Sequence, residues 1–359
     1  MKLPALSRDG REWAVVAALA SGVFLLLTLI SARNGSVSGE FLVGVALTMA
    51  LFALLALGLS LQFGLAGLIN FGHIGFAAIG AYGVGLAHLN GWPWFAGVAL
   101  GLLGAVALAI VVGIPTLRLR EDYLAIATIG VAEIVRTIAL SEVWLTRGPF
   151  GIYSFPLPGR DFATSGPWAA LAASLGVVPY SPFFVAVLAL VLFGVLYWTF
   201  SRLARSPWGR VLRAIREDED VAGAVGKNPF RFKLQALALG AVPAALYGML
   251  YAWAFAQIIP ALFVPLVTFY AWTIVVVGGV TTLRGALAGS IAFWGLTAFA
   301  RVLRLETIPV VGGPLESVVG FLTRPGPGQE LLIGVLLVLV MLHRPQGIVG
   351  RREELRFGR

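Results

Sequence analysis

Ten stretches of this chain are long and apolar enough to cross a bilayer as a helix, and that recurrence constrains the fold more than any other feature. A spanning helix needs about 20 apolar residues, because its backbone polar groups must be satisfied within the segment once water is gone. The stretches are residues 13–32, 41–59, 72–89, 94–115, 123–140, 182–200, 234–256, 262–281, 286–305 and 330–342. The chain is 59% hydrophobic and 12% charged, with mean hydropathy +0.91. Such a composition predicts an all-α polytopic membrane protein, one transmembrane domain over residues 1–359. The 44 glycines agree, since membrane helices use small residues to pack closely. The first stretch is longer than the apolar region of a signal peptide, and Ile30-Ser31-Ala32 is a weak cleavage site, so it reads as an uncleaved anchor.

The net charge of +9 would suggest nucleic acid in a soluble protein; here sidedness explains it, and no nucleic-acid partner is expected. With ten crossings and a cytoplasmic N-terminus, the inside holds Lys2, Arg8, Arg11, Arg118, Arg120, the basic residues of 202–233, Arg284, Arg344, Arg351, Arg352, Arg356 and Arg359. The outside holds Arg33, Arg147, Arg160 and Arg324, with Arg301 and Arg304 at the outer end of the stretch 286–305, and Arg136 alone lies deep within a span. That bias matches the positive-inside rule and places both termini in the cytoplasm. The outside connections 141–181 and 306–329 are long and rich in Pro and Gly, and 167–175 is apolar enough for a short surface or re-entrant helix. Each is either a solvated connection or a landing surface for an external protein.

Residues 202–233 form the one long polar segment between spans. They carry Arg202, Arg205, Arg210, Arg213, Arg216, Lys227, Arg231 and Lys233 beside the acidic run Glu217-Asp218-Glu219-Asp220. Acids at a helix start and a glycine at its end, as from Asp220 through Ala222 to Gly226, specify a short rigid helix. Such a helix can dock on a soluble motor. The alternative is a solvated basic loop drawn to anionic lipid.

Within the membrane the informative stretch is 58–85, with glycines at 64, 67, 72, 75, 80, 83 and 85, polar Gln62, Asn70 and His73, and Tyr82. Glycine this dense serves either close helix packing or a broken helix lining a path, and 58–72 reads equally as a broken helix or a turn. Polar groups at membrane depth are costly and mark function, so Gly67, Asn70, His73, Gly80 and Tyr82 are candidate path residues. Glu133 and Arg136, three apart, share a helix face and pair, and neither should face lipid. Trp272 is a gate or a packing residue; Gly97-x-x-x-Gly101 and Gly285-x-x-x-Gly289 read as packing motifs.

Several enzyme classes are excluded. There is no cysteine, so disulfides and thiolate sites are absent. The phosphate-loop pattern fails at Gly226-Lys227-Asn228; His73, His88 and His343 make no zinc spacing, and no nucleophile elbow occurs. No cofactor or metal is expected in this chain.

These blocks together resemble the permease subunits of ATP-driven importers for branched-chain amino acids. Residues 117–136, reading LRLREDYLAIATIGVAEIVR, are similar to that family's LRGDYLAIVTLGFGEIIR, with Glu121 in place of a glycine. Residues 64–82 resemble its stretch ending GHAAFFGIGAY, although Asn70-Phe71 is closer to the partner permease's INFAHG. Leu342-His343-Arg344-Pro345-Gln346-Gly347 is similar to its FRPQG terminus, and Asp220-Val221-Ala222-x-x-x-Gly226 to the importer pattern EAA-x-x-x-Gly. The resemblance implies an importer permease fold in the inner membrane, paired with a second permease. It also implies two cytoplasmic ATPases holding ATP and Mg, and an extracytoplasmic binding protein. The coupling set would be Arg213, Arg216, Glu217, Asp218, Glu219, Asp220, Ala222, Gly226 and Lys233. Leucine, isoleucine and valine are the implied substrates; urea or short amides in related permeases, or a stand-alone secondary transporter, are the alternatives.

Overall fold

The computed structural model describes residues 8–34 and 38–303, apart from 155, 157, 175–176 and 179–181, together with 331, 334–335, 338, 342–343 and 346–350. In chain order come helices α1 (Arg8–Asn34), α2 (Gly39–Ala66), α3 (His73–Leu89), α4 (Trp94–Thr116) and α5 (Glu121–Ser141). Three short pieces follow, α6 (Val143–Thr146), α7 (Arg160–Thr164) and α8 (Gly166–Ser174). Then come α9 (Pro182–Arg205), α10 (Pro207–Glu217), α11 (Glu219–Ala224), α12 (Pro229–Phe255), α13 (Pro265–Gly278) and α14 (Gly285–Leu303). Nine of the ten predicted spans coincide with a helix, and α8 covers the apolar patch in the first long connection. Of the tenth span only Leu331, Gly334, Val335, Val338 and Leu342 are described, all helical; 306–329 lies outside the described residues. Among the described residues six helices are long and apolar enough to cross a membrane, while His73–Leu89 is a shorter apolar helix.

A helix that is apolar on every side belongs in the interior, and burial sorts the bundle accordingly. In their apolar spans α2 and α12 are 67% and 72% buried, against 28%, 22% and 28% for α4, α5 and α9. So α2 and α12 form the axis, packed on each other, with α3 lying against α12 and α4, while α4, α5 and α9 form the rim. α2 begins where the Ser38 hydroxyl accepts from the Phe41 N–H (3.3 Å). It runs 28 residues, about 42 Å at 1.5 Å per residue.

Backbones meet where side chains vanish. A Cβ on Gly80 would land on the Ala245 backbone, and one on Gly248 on the Ala77 carbonyl, so α3 and α12 cross in direct backbone contact. Gly83 of α3 lies against Gly101 of α4, where a Cβ would stand 2.5 Å from the Gly101 nitrogen; this is the close packing expected of Gly97-x-x-x-Gly101. Gly285 and Gly289 seat α14 on the end of α13 in the same way.

Two features were not legible beforehand. Ile152–Tyr153 (β1) pairs antiparallel with Gln257–Ile258 (β2), Ile152 opposite Ile258, clasping the first long connection to the end of α12. At the other end, the Ile348 and Val349 N–H groups donate to the Val277 and Gly278 carbonyls (2.9 and 3.0 Å). The Gln346-Gly347 terminus therefore caps α13, satisfying carbonyls that a helix end leaves open.

Candidate functional site

The site begins where α2 stops. Gly67 is left-handed (φ 69°), and the Gly67 and Leu68 N–H groups donate to the Phe63 and Gln62 carbonyls (both 3.0 Å), closing the helix in a Schellman-type cap. The chain then crosses from Gly67 to Gly72 without helix, with Leu68 and Asn70 only 2% and 1% exposed. Buried backbone outside a helix must find partners or forfeit several kcal/mol. Here it finds them in the side chain of Asn70 itself and in side chains from two other helices, α5 and α13.

Gln62 Nε2 donates to the Leu237 carbonyl of α12 (3.0 Å), and its Oε1 accepts from Asn70 Nδ2 (3.0 Å). Asn70 Oδ1 accepts from the Gly72 N–H (2.9 Å), and the Phe71 N–H donates to Thr128 Oγ1 of α5 (3.1 Å). From α13, Trp272 Nε1 donates to the Asn70 carbonyl (3.0 Å) and Thr268 Oγ1 accepts from the Ile74 N–H (3.0 Å). His73, fully buried, donates through Nε2 to the Leu55 carbonyl (3.2 Å). Phe63 and Phe71 stack about Trp272, with centroids 4.7 and 5.2 Å away. The stretch left open as broken helix or turn is a helix cap followed by a buried, pinned junction.

The polar segment meets this junction. α10 is amphipathic and buries Gly209, Leu212 and Ile215 against the bundle. Arg216 Nη1 donates to the Gly64 carbonyl in the last turn of α2 (2.5 Å), and its Nη2 bonds to Glu217 (2.7 Å). Asp218 caps α11 by accepting from the Val221 N–H (2.9 Å), the short helix expected of the acid-to-glycine spacing. Gly226, at φ 79° with nothing within 4 Å of a Cβ, turns the chain toward α12. Lys233 pairs with Glu219, tying α11 back to α12. Ala222 is buried, while Val221 and Val225 are 60% and 70% exposed and present an apolar tip to solvent. Arg213, itself exposed, donates to the Ala204 carbonyl at the end of α9 (3.0 Å).

The candidate path residues fall into three places. Gly67, Asn70, His73 and Trp272 come together at the junction. Gly80 lies at the α3–α12 crossing, with Tyr82 buried two residues on, its ring 6.1 Å from Phe263. Glu133 and Arg136 pair as the spacing implies, but on the outward face of α5, with side chains 42% and 24% exposed. The sequence shows two residues sharing a face, not which way it points.

Residues no motif flagged line a cavity of about 670 Å³ at the end of the bundle away from α10. Phe52, Tyr247, Tyr251, Phe263, Tyr270 and Trp294 line it, and Trp294 Nε1 has no hydrogen-bond partner among the described residues. These aromatics come from four separate regions, so no local spacing could have shown them.

The family model described as branched-chain amino acid transport system / permease component matches residues 41–341. The chain belongs to this permease family. LivM of Salmonella typhimurium LT2, a high-affinity branched-chain amino acid transport system permease, is 34% identical over 318 residues, covering 86% of this chain and 69% of that protein. A probable LivM of Methanocaldococcus jannaschii is 26% identical over 340 residues (85% and 92%), and LivH of Escherichia coli K12 is 28% identical over 323 residues (84% and 92%). Among solved structures, PsaBC from Streptococcus pneumoniae in complex with Fab overlaps 92% of this chain and 99% of that chain at TM-score 0.36 and 16% identity, too loose a likeness to carry an argument. This family member is thus an all-α, multi-pass membrane permease of the transport-subunit kind.

Proposed function

We propose that this permease is one of two related membrane subunits of an ATP-driven importer for branched-chain amino acids, working in the inner membrane with ten crossings and cytoplasmic termini. ATP and Mg belong to two separate cytoplasmic ATPases, and an extracytoplasmic protein delivers the substrate, landing on 141–181 and 306–329. The observation that carries this reading is the Arg216–Gly64 bond. It joins the exposed helical tip 218–226 to the one place where an axial helix of the bundle is interrupted. An ATPase gripping α11 through Val221 and Val225 would move α10, and with it the end of α2 and the Asn70–Trp272 junction. That junction is the inner gate in this scheme, with Gly67, His73, Gly80 and Tyr82 along the path behind it.

The outward Glu133–Arg136 pair supports a second permease. Charges at membrane depth face protein or water rather than lipid, and α5 is the least buried of the six long apolar helices among the described residues. A partner packed on α5 would cover the pair.

The test is reconstitution in liposomes with the second permease, the two ATPases and the binding protein. Leucine uptake should require ATP and be competed by isoleucine and valine, not by urea. Uptake by the lone chain without ATP would replace this reading with a secondary transporter; competition by urea or short amides would change the substrate.

A further inference from the structure

The aromatic cavity has a mouth and a floor. Its rim is made of helix ends: Phe41 in the first turn of α2, Pro182 at the start of α9, Phe255 at the end of α12 and Leu262 just before α13. From that rim α12 descends through Tyr251 to Tyr247, about 12 Å into the bundle at 1.5 Å per residue. Exposure falls along the way, from 47% at Phe255 to 4% at Tyr247. The rings form a ladder: centroids are 4.6 Å apart from Phe255 to Tyr251 and 6.0 Å from Tyr251 to Tyr247, which meets Phe52 edge-on at 5.4 Å. Trp294, 4.8 Å from Phe52, closes the floor.

Volume and lining together define what fits. At about 670 Å³ the cavity lies in the size range of small-molecule sites. None of the described residues on its wall is charged, so an ammonium or carboxylate drawn to the floor would shed its water with no partner to replace it. The walls suit an aliphatic group, and a mouth set among helix ends leaves the charged end of a ligand in water. Two features join the cavity to the candidate path. Phe263 on its wall lies 6.1 Å from Tyr82, whose hydroxyl is buried without a partner among the described residues. And α2, with Gly44, Thr48 and Phe52 on the wall, runs on to the Gln62–Asn70 junction.

We propose that this cavity takes the branched aliphatic side chain of the transported amino acid, with the ammonium and carboxylate held in water at the mouth, as the first stop inside the permease. The identity of the ligand rests on the importer reading above. Each buried CH₂ is worth about fourfold in affinity, so alanine, three carbons short of leucine, should bind about 50-fold more weakly.

Full-length permease in nanodiscs is irradiated, and saturation transfer to leucine, valine and alanine is read by NMR, proton by proton. Transfer to the leucine and valine methyls should exceed transfer to their α-protons. The variants are Gly44→Phe and, as a control, Gly194→Phe. A Cβ at either position meets nothing within 4 Å, but Gly44 is on the cavity wall and Gly194 is on α9, away from it. G44F fills the cavity and should weaken leucine about 50-fold, to the level of alanine, while G194F binds as wild type does. Equal leucine binding by G44F and wild type, or alanine binding as well as leucine to the wild type, would overturn the site. Phospholipid retained by the wild type in place of leucine, and lost from G44F, would give the cavity to an acyl chain and overturn it too. Binding is read on the permease alone, so the two readings fail separately. Methyl-directed binding lost in G44F, without uptake by the assembled complex, would uphold the cavity and refute the importer; leucine uptake with unaltered G44F binding would do the reverse.

Discussion

The buried junction between α2 and α3 makes a quantitative demand on the pair Gln62–Asn70. Asn70→Ala leaves two buried groups without partners, Gln62 Oε1 and the Gly72 N–H. Orphaned buried groups cost about 1–3 kcal/mol each in soluble proteins. In membranes the unfolded reference also finds partners, and measured interhelical hydrogen bonds average about 0.6 kcal/mol with a maximum near 1.7. A loss of about 2–3 kcal/mol is the balance expected for Asn70→Ala, between those two scales. Gln62→Leu strips Asn70 Nδ2 of its acceptor and the Leu237 carbonyl of one donor. Because the Gln62–Asn70 bond is lost in both single variants, the double variant should be less destabilised than their sum, by roughly 1 kcal/mol. Reversible unfolding in mixed detergent micelles measures all four corners of this cycle. Additivity to within about 0.3–0.5 kcal/mol, the behaviour of independent sites, would refute the pinned junction.

Further predictions address the coupling segment and the packing. Gly226→Arg places a side chain at φ 79° in open space, costing about 1–2 kcal/mol of local strain. The subunit should remain folded in the membrane while uptake is abolished; wild-type uptake would sink the docking reading. Arg216→Met keeps an unbranched side chain but deletes the bond to the Gly64 carbonyl, a charged hydrogen bond worth roughly 1.5–3 kcal/mol. Reconstituted complexes should still hydrolyse ATP yet transport far less per ATP consumed, and an unchanged ratio would contradict the link. Gly248→Leu drives a Cβ into the Ala77 carbonyl and should cost at least about 1–3 kcal/mol of overpacking. Gly130→Leu, with nothing within 4 Å, should leave the unfolding midpoint nearly unchanged; equal effects would argue against the α3–α12 crossing. Glu133→Gln should weaken co-purification with the second permease, and undiminished recovery would place that interface elsewhere.

The sequence by itself determined the class of fold and where its helices run. Apolar length alone sets membrane helices, because each satisfies its own backbone, so nine helices were legible without knowing any neighbour, six of them long and apolar enough to cross a membrane. The short helix α11 was legible for a similar reason: an acid cap and a left-handed Gly226 are local requirements of a short helix, written within nine residues. Tertiary structure decided what those helices do to one another. Asn70 draws its partners from Gln62, Trp272 and its own turn, and the pinned backbone reaches Thr128 and Thr268 on two further helices; these distances in sequence leave no periodic trace. The outward turn of Glu133 and Arg136 was likewise undecided, since an apolar helix in lipid carries no polar face to reveal its orientation. The aromatic cavity is assembled from side chains of four or more segments, and only the packed bundle brings them together.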